Sequence, residues 1–209
     1  MLIIGAKGFA KEILQIFWQL NQLTDLCFFD NVSEDLPDKL YDQFKILKDF
    51  DQVQDLFEKT DNSFVLGIGD PKTRSNMAQK FTTLGGKLTT LISPKTDIGC
   101  FNTFIGTGST LMTGVVITND IKLGEGCLIN LNCTIGHDVK IGRYTELSPG
   151  VHVSGNCSIG EFCTLGTGCV ILPKIRIGNN AVVGAGAVVT ANVADDHIVV
   201  GVPARPIRQ

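Results

Sequence analysis

The sequence has little of what marks several common protein classes. It has no basic excess: 18 Lys and Arg against 21 Asp and Glu leave a formal charge of −3 and a pI near 5.6. That argues against the concentrated cationic face required by nucleic acid or an anionic membrane surface. A small anionic ligand stays possible, because backbone N–H groups hold phosphates without net positive charge. No apolar run reaches the length of a spanning helix. The apolar opening Met1-Leu2-Ile3-Ile4 is broken by Lys7 and Lys11 too early for a signal-peptide core, so a cytoplasmic protein is expected. None of the 7 cysteines belongs to a Cys-x-x-Cys pair, and an odd count is awkward for a disulfide framework. Histidine is scarce, with only His137, His152 and His197.

What is there describes an ordinary globular chain. Its 209 residues are 44% hydrophobic and 19% charged, enough for one large domain or two modest ones. The 23 glycines outnumber the 7 prolines, and they fall at a fixed period. Stepping by six from Ile105 gives Leu111, Ile117, Leu123, Ile129, Ile135, Ile141, Leu147, Val153, Ile159, Leu165, Ile171, Ile177, Val183 and Val189. At a background of roughly one in four for Leu, Ile or Val, so long an unbroken run is not chance.

The flanking positions keep the same beat. Gly follows the aliphatic residue at 106, 124, 136, 142, 160, 166, 178 and 184, and Asn at 130. Both tolerate positive φ, which the corners are expected to demand. Two residues before most of the aliphatics lie slim side chains, among them Ser109, Thr145, Ala181 and five of the cysteines, Cys127, Cys133, Cys157, Cys163 and Cys169. The pattern reads as short strands joined by corners, stacked into a solenoid with a continuous core. The cysteines are then small fillers of a narrow interior rather than a metal or thiol cluster.

Ahead of the repeat the pattern changes. Leu2-Ile3-Ile4 reads as a strand, Gly5-Ala6-Lys7-Gly8-Phe9-Ala10 as a turn, and Lys11 to Leu20 as a helix with Ile13, Leu14, Phe17 and Leu20 on one face. Leu26 to Asp30 reads as a second strand with an acid at its end. Phe64 to Asp70 reads as a third, with a helix from Pro71 to Leu84 after it. This is a βαβ arrangement of nucleotide-binding type, although Gly5-x-x-Gly8 lacks the full three-glycine fingerprint and equally fits a ligand-free tight turn. Gly85-Gly86 and Ser93-Pro94 punctuate a junction near residue 92.

The whole order resembles the NeuD/PglD-like sugar acetyltransferases, which belong to the hexapeptide-repeat acyltransferases. The matching stretches are Ile3 to Phe9, Phe29-Asp30-Asn31, Gly67-Ile68-Gly69, Asn130 through His137-Asp138, and Gly201-Val202-Pro203-Ala204-Arg205. The resemblance implies an α/β Rossmann-like nucleotide-sugar-binding domain over 1–92. An all-β left-handed parallel β-helix with a C-terminal tail follows over 93–209. It implies acetyl-CoA as co-substrate, no metal, and a homotrimer with active sites between subunits. The implied reaction is N-acetylation of a nucleotide-linked amino sugar for surface glycan biosynthesis, or alternatively O-acetylation of a sialic-acid-like sugar. Lys7, Gly8, Phe9, Asp30, Asn31 and Gly69 would line the nucleotide-sugar site. Glu146, Thr167 and Ala185 would meet acetyl-CoA. Lys7 and Phe9 stand where the family usually has Gly or Ser and His, and Glu146 stands where related enzymes can place a histidine.

Acetyl transfer from a thioester needs a base, donors for the developing oxyanion and aligned substrates. His137 is the first candidate base: it lies two residues past the inward Ile135, in an outward slot shared with Thr107, Asn119 and Thr167. Asp138 beside it can orient the ring and make it the better proton acceptor. His152 occupies another outward slot and reads as surface; His197 lies in the tail. Gly184-Ala185-Gly186-Ala187 has little bulk, which suits close approach of a cofactor to the backbone. Two other readings compete. One is a γ-class carbonic anhydrase, which needs three zinc-binding histidines and a close pair that this chain lacks. The other is a non-catalytic scaffold that only binds a nucleotide sugar.

Overall fold

A computed structural model describes residues 1–207. The chain divides into two compact units, Met1–Leu91 and Ile92–Gln209; residues 208 and 209, the end of the expected second domain, lie outside the described part.

The first unit is an α/β sheet. Its elements are β1 (Leu2–Ile4), α1 (Gly8–Gln19), β2 (Cys27–Phe29), β3 (Lys39–Leu40), β4 (Phe44–Leu47), α2 (Phe50–Lys59), β5 (Ser63–Leu66), α3 (Pro71–Thr83) and β6 (Lys87–Leu88). The strand order is β3-β4-β2-β1-β5-β6, parallel except for the β3–β4 pair. The three strands read from the sequence are the central ones. They are apolar because both faces of a parallel sheet are covered, and Leu2, Ile3, Ile4, Phe28, Phe64 and Val65 are at most 1% exposed. Phe81 of α3 gathers Phe29, Phe50, Phe57 and Phe64, with ring centroids 5.0–6.5 Å away. Asp49 and Asp70 cap α2 and α3 by accepting from the N–H groups of Gln52 and Thr73. Helix α1 begins at Gly8 instead of Lys11, behind Lys7, whose side chain makes no cap bond.

The second unit is a parallel β-helix. Two-residue strands repeat three to a coil, and residues 18 apart pair: Leu111 with Ile129, Ile129 with Leu147, Ile117 with Ile135, Leu123 with Ile141. This gives three sheets, one holding 110–111, 128–129, 146–147, 164–165 and 182–183. The second holds 116–117, 134–135, 152–153, 170–171 and 188–189, and the third 122–123, 140–141, 158–159 and 176–177. Each aliphatic of the six-residue beat from Leu111 to Val189 is buried in one core. The open end of the first sheet is covered by an antiparallel strand, Arg205–Pro206 on Ile198–Val200, and proline suits such an edge.

The corner glycines correct the sequence reading. Positive φ falls three residues after each aliphatic from Ile105 to Val183, at glycines 108, 114, 126, 150, 168 and 186 and at Asp120, Asn132, Asp138, Tyr144, Asn156, Phe162, Lys174 and Asn180. The glycines directly after the aliphatic do not adopt it. They are glycine because neighbouring coils nearly touch there. An added Cβ would lie 2.5 Å from the Arg143 nitrogen at Gly124, and 2.6 Å from the Glu161 and Asn179 nitrogens at Gly142 and Gly160. Tyr144 and Phe162 are bulky for the left-handed region. They stack at 5.7 Å and 9°, and the Tyr144 hydroxyl donates to Glu125 at 2.9 Å.

The slim inward slot does more than fill space. Ser109, Cys127, Cys133, Thr145, Cys157 and Cys163 each donate to the carbonyl fifteen residues ahead, at 2.7–3.2 Å. Each bond satisfies a corner carbonyl of the next coil that faces the dry interior. Burial pushes the Cys133 thiol up to about 11 and Cys169 to about 12.

Candidate active site

His137 and Asp138 occupy the corner between the strands Thr134–Ile135 and Lys140–Ile141. Asp138 takes the left-handed position of that corner, φ 59°, which an Asp accepts readily. Its Oδ2 lies 2.8 Å from His137 Nδ1. A carboxylate only accepts, so Nδ1 carries the proton and Nε2 is left as the basic nitrogen. Both side chains are more than half exposed, 64% and 54%. The Nε2 edge of the ring lies over Gly155, at the same corner of the next coil: a Cβ built there would sit 2.5 Å from Nε2. The sequence reading missed Gly155, although stepping one 18-residue coil from His137 finds it.

Glu146, Thr167 and Ala185 lie along a different ridge. Glu146 is the outward residue of strand Glu146–Leu147, half-buried, and accepts from the Ser148 hydroxyl at 3.3 Å. Thr167 and Ala185 are exposed at the corner that follows that sheet, one coil apart, with Gly186 N–H donating to the Thr167 carbonyl at 2.8 Å. Between this ridge and the His137 ridge runs the outer face of the second sheet, bearing Thr134, His152 and Val170. There His152 Nδ1 lies 2.8 Å from the Thr134 hydroxyl. One chain therefore does not bring its candidate base and its candidate cofactor residues to the same corner.

In the first unit, Lys7, Gly8, Phe9, Asp30, Asn31 and Gly69 follow the carboxyl ends of β1, β2 and β5. Connections leave β1 and β5 in opposite directions there, the place where open α/β sheets take ligands. The two loops cross in close contact: a Cβ on Gly5 would sit 2.8 Å from the Gly67 carbonyl oxygen, and one on Gly67 2.8 Å from Ala10 Cβ. The Asp30 carboxylate accepts from the N–H groups of Ala6, Val32 and Ser33 and from the Ser33 hydroxyl, so it also shapes the loop. The Gly69 carbonyl accepts from the guanidinium of Arg74, a buried side chain that no sequence signal singled out. Among the described residues no group of His, Cys, Asp and Glu is arranged to hold a metal ion.

Residues 1–81 match the PglD N-terminal domain, and residues 120–155 and 156–191 match the bacterial transferase hexapeptide model of six repeats. Solved structures agree over nearly the whole chain. A mutant of perosamine N-acetyltransferase from Caulobacter crescentus, in complex with CoA and GDP-perosamine, is 26% identical with TM-score 0.92, covering 100% of this chain and 96% of that one. The acetyltransferase domain of PglB from Neisseria gonorrhoeae, in complex with acetyl coenzyme A, is 28% identical with TM-score 0.89, covering 99% and 98%. WeeI from Acinetobacter baumannii is 29% identical with TM-score 0.89 and the same coverage. No curated protein matches the chain. With these likenesses the parallel β-helix takes its expected left hand.

Proposed function

We propose a reaction for this chain from one premise: it belongs to the NeuD/PglD-like family of acetyl-CoA-dependent sugar acetyltransferases. The acceptor is the amine of a nucleotide-linked amino sugar, as in the full-length neighbour named as a perosamine N-acetyltransferase. The observation that carries the mechanism is the 2.8 Å contact between His137 Nδ1 and Asp138 on an open corner.

Asp138 holds the ring in the tautomer whose Nε2 is unprotonated. The amine nitrogen attacks the thioester carbonyl, the N–C bond forms, and Nε2 takes the proton that the nitrogen sheds. Collapse of the tetrahedral intermediate breaks the C–S bond, and the thiolate of CoA leaves and recovers a proton. Thr167, Ala185 and the bare Gly184 to Ala187 backbone would seat the pantetheine arm, with Glu146 at its edge. Lys7, Gly8, Phe9, Asp30, Asn31 and Gly69 would hold the nucleotide, the N–H groups at the start of α1 meeting its phosphates. Base and cofactor ridge are separate in one chain, and the homotrimer that the family resemblance implies would pair the His137 ridge of one subunit with the cofactor ridge of its neighbour. The product is an acetamido sugar nucleotide destined for surface glycan, made in the cytoplasm where acetyl-CoA is supplied.

The test is incubation with acetyl-CoA and a panel of UDP-, GDP-, dTDP- and CMP-sugars, with release of free CoA thiol and product mass as readouts. An amino sugar should gain an acetyl group; acylation only of a hydroxyl sugar reverses the acceptor, and no transfer to any sugar rejects the reading. The His137→Ala variant should lose on the order of 10²–10⁴ in rate at unchanged hydrodynamic size. An unchanged rate removes His137 from the mechanism.

A further inference from the structure

We propose that Gly155 is a positioning residue for the candidate base: its missing side chain is the seat of the His137 imidazole. The inference rests on the role given to His137 above and deepens it.

Most glycines of the β-helix face backbone. Gly155 faces a ring, as Gly126 faces that of Tyr144. A Cβ built on Gly155 would lie 2.5 Å from His137 Nε2, 2.7 Å from Cε1 and 2.9 Å from Cδ2. Those are three atoms of one imidazole, with the nitrogen assigned to catalysis the closest. Real Cβ atoms do not approach so near, so one side must move. The backbone around the contact is pinned. Gly136 N–H donates to the Val153 carbonyl at 2.8 Å, Asn156 N–H to the His137 carbonyl at 2.8 Å, and Lys174 N–H to the Gly155 carbonyl at 3.1 Å.

The ring is therefore what gives way. Its orientation is set by the 2.8 Å bond from Nδ1 to Asp138, and turning about the Cα–Cβ bond carries Nδ1 off that carboxylate. A methyl group at 155 acts twice: it unseats the ring, and it covers the side of Nε2 that the bare glycine leaves open. Left-handed backbone does not explain the glycine, because Gly155 is absent from the positive-φ positions.

Gly155→Ala, His137→Ala and the double variant provide the test, using the intact protein and the amino sugar acetylated in the panel. Gly155→Ala should lower kcat about 10- to 100-fold, the scale of a misplaced catalytic group, with KM for acetyl-CoA unchanged. The double variant should be no slower than His137→Ala, because the methyl acts only through the ring. A wild-type kcat for Gly155→Ala overturns the proposal, and so does a double variant slower than His137→Ala by the full Gly155→Ala factor. Melting gives a second arm that needs no substrate. Any loss of melting temperature in Gly155→Ala should vanish when the ring is also removed, and a loss that persists in the His137→Ala background overturns the proposal. If His137→Ala alone keeps full activity, the base assignment fails, while the melting arm still decides whether the ring sits on Gly155.

Discussion

At the scale of single residues the cysteines are the clearest case of chemistry set by position. Cys27, Cys127, Cys133, Cys157, Cys163 and Cys169 are buried, and Cys100 is exposed. Burial disfavours the thiolate, which is the reactive form, and pushes Cys27 and Cys133 up to about 11 and Cys169 to about 12. A raised value means that the neutral thiol persists as pH rises, so these groups stay unreactive across the range in which an ordinary thiol ionises. A disulfide reagent at pH 8 should modify one thiol per native chain, that thiol should vanish in Cys100→Ser, and all seven should react in denaturant. Two or more fast thiols in the native protein would contradict the burial. The sequence reading of these residues as small fillers is right about size but omits their hydrogen bonds. The acceptor lies fifteen residues away, a relation that emerges only when coil length and corner geometry are both in hand. His137 and Asp138 were legible for the opposite reason: they are adjacent in the chain, so their contact needs no tertiary knowledge.

At the scale of the element, the corner has two glycine positions with different causes. Gly142 follows an aliphatic, lacks positive φ, and would bring a Cβ to 2.6 Å from the Glu161 nitrogen. Gly168 has φ 68° with nothing within 4 Å of its Cβ. Asn already fills the latter kind of position at 132, 156 and 180. Gly168→Asn should therefore change stability by no more than about 0.5 kcal/mol, whereas Gly142→Asn forces two coils apart and should cost about 1–3 kcal/mol. Melting of the two variants at equal protein concentration checks this; equal tolerance would restore the view that both glycines serve φ. Legibility of the elements follows the same physics. The six-residue beat is strong because every coil repeats one packing problem, and it fades where the coil length changes. Ile98 pairs with Ile117, nineteen residues on, and Val183 with Val199, sixteen on, so the first and last coils slip out of a strict count. Strands β3 and β4 and helix α2 were not read from the sequence, because β3 has two residues and α2 only two buried ones, Val53 and Phe57.

At the scale of the whole molecule, the decisive fact is that the His137 corner and the Thr167–Ala185 corner bound opposite edges of one sheet. Sequence could name both sets, but only the three-sided winding shows that they do not share a corner. In the proposed homotrimer, closed three-fold assembly would pair unlike edges of adjacent copies, so each site would draw on two chains. This division has a test that no single variant provides. His137→Ala removes the base, and Thr167→Arg fills the cofactor ridge with a bulky cation; each homotrimer should be inactive. When the two are co-expressed in equal amounts, some interfaces join an intact His137 ridge to an intact cofactor ridge. Random mixing puts the right pair together at about one quarter of interfaces, so roughly that share of wild-type activity should return. Sites confined to single chains would regain nothing, because every chain in the mixture carries one of the two lesions. Activity restored only in mixed trimers, and scaling with the product of the two variants' fractions, would establish that the β-helix performs its chemistry between subunits.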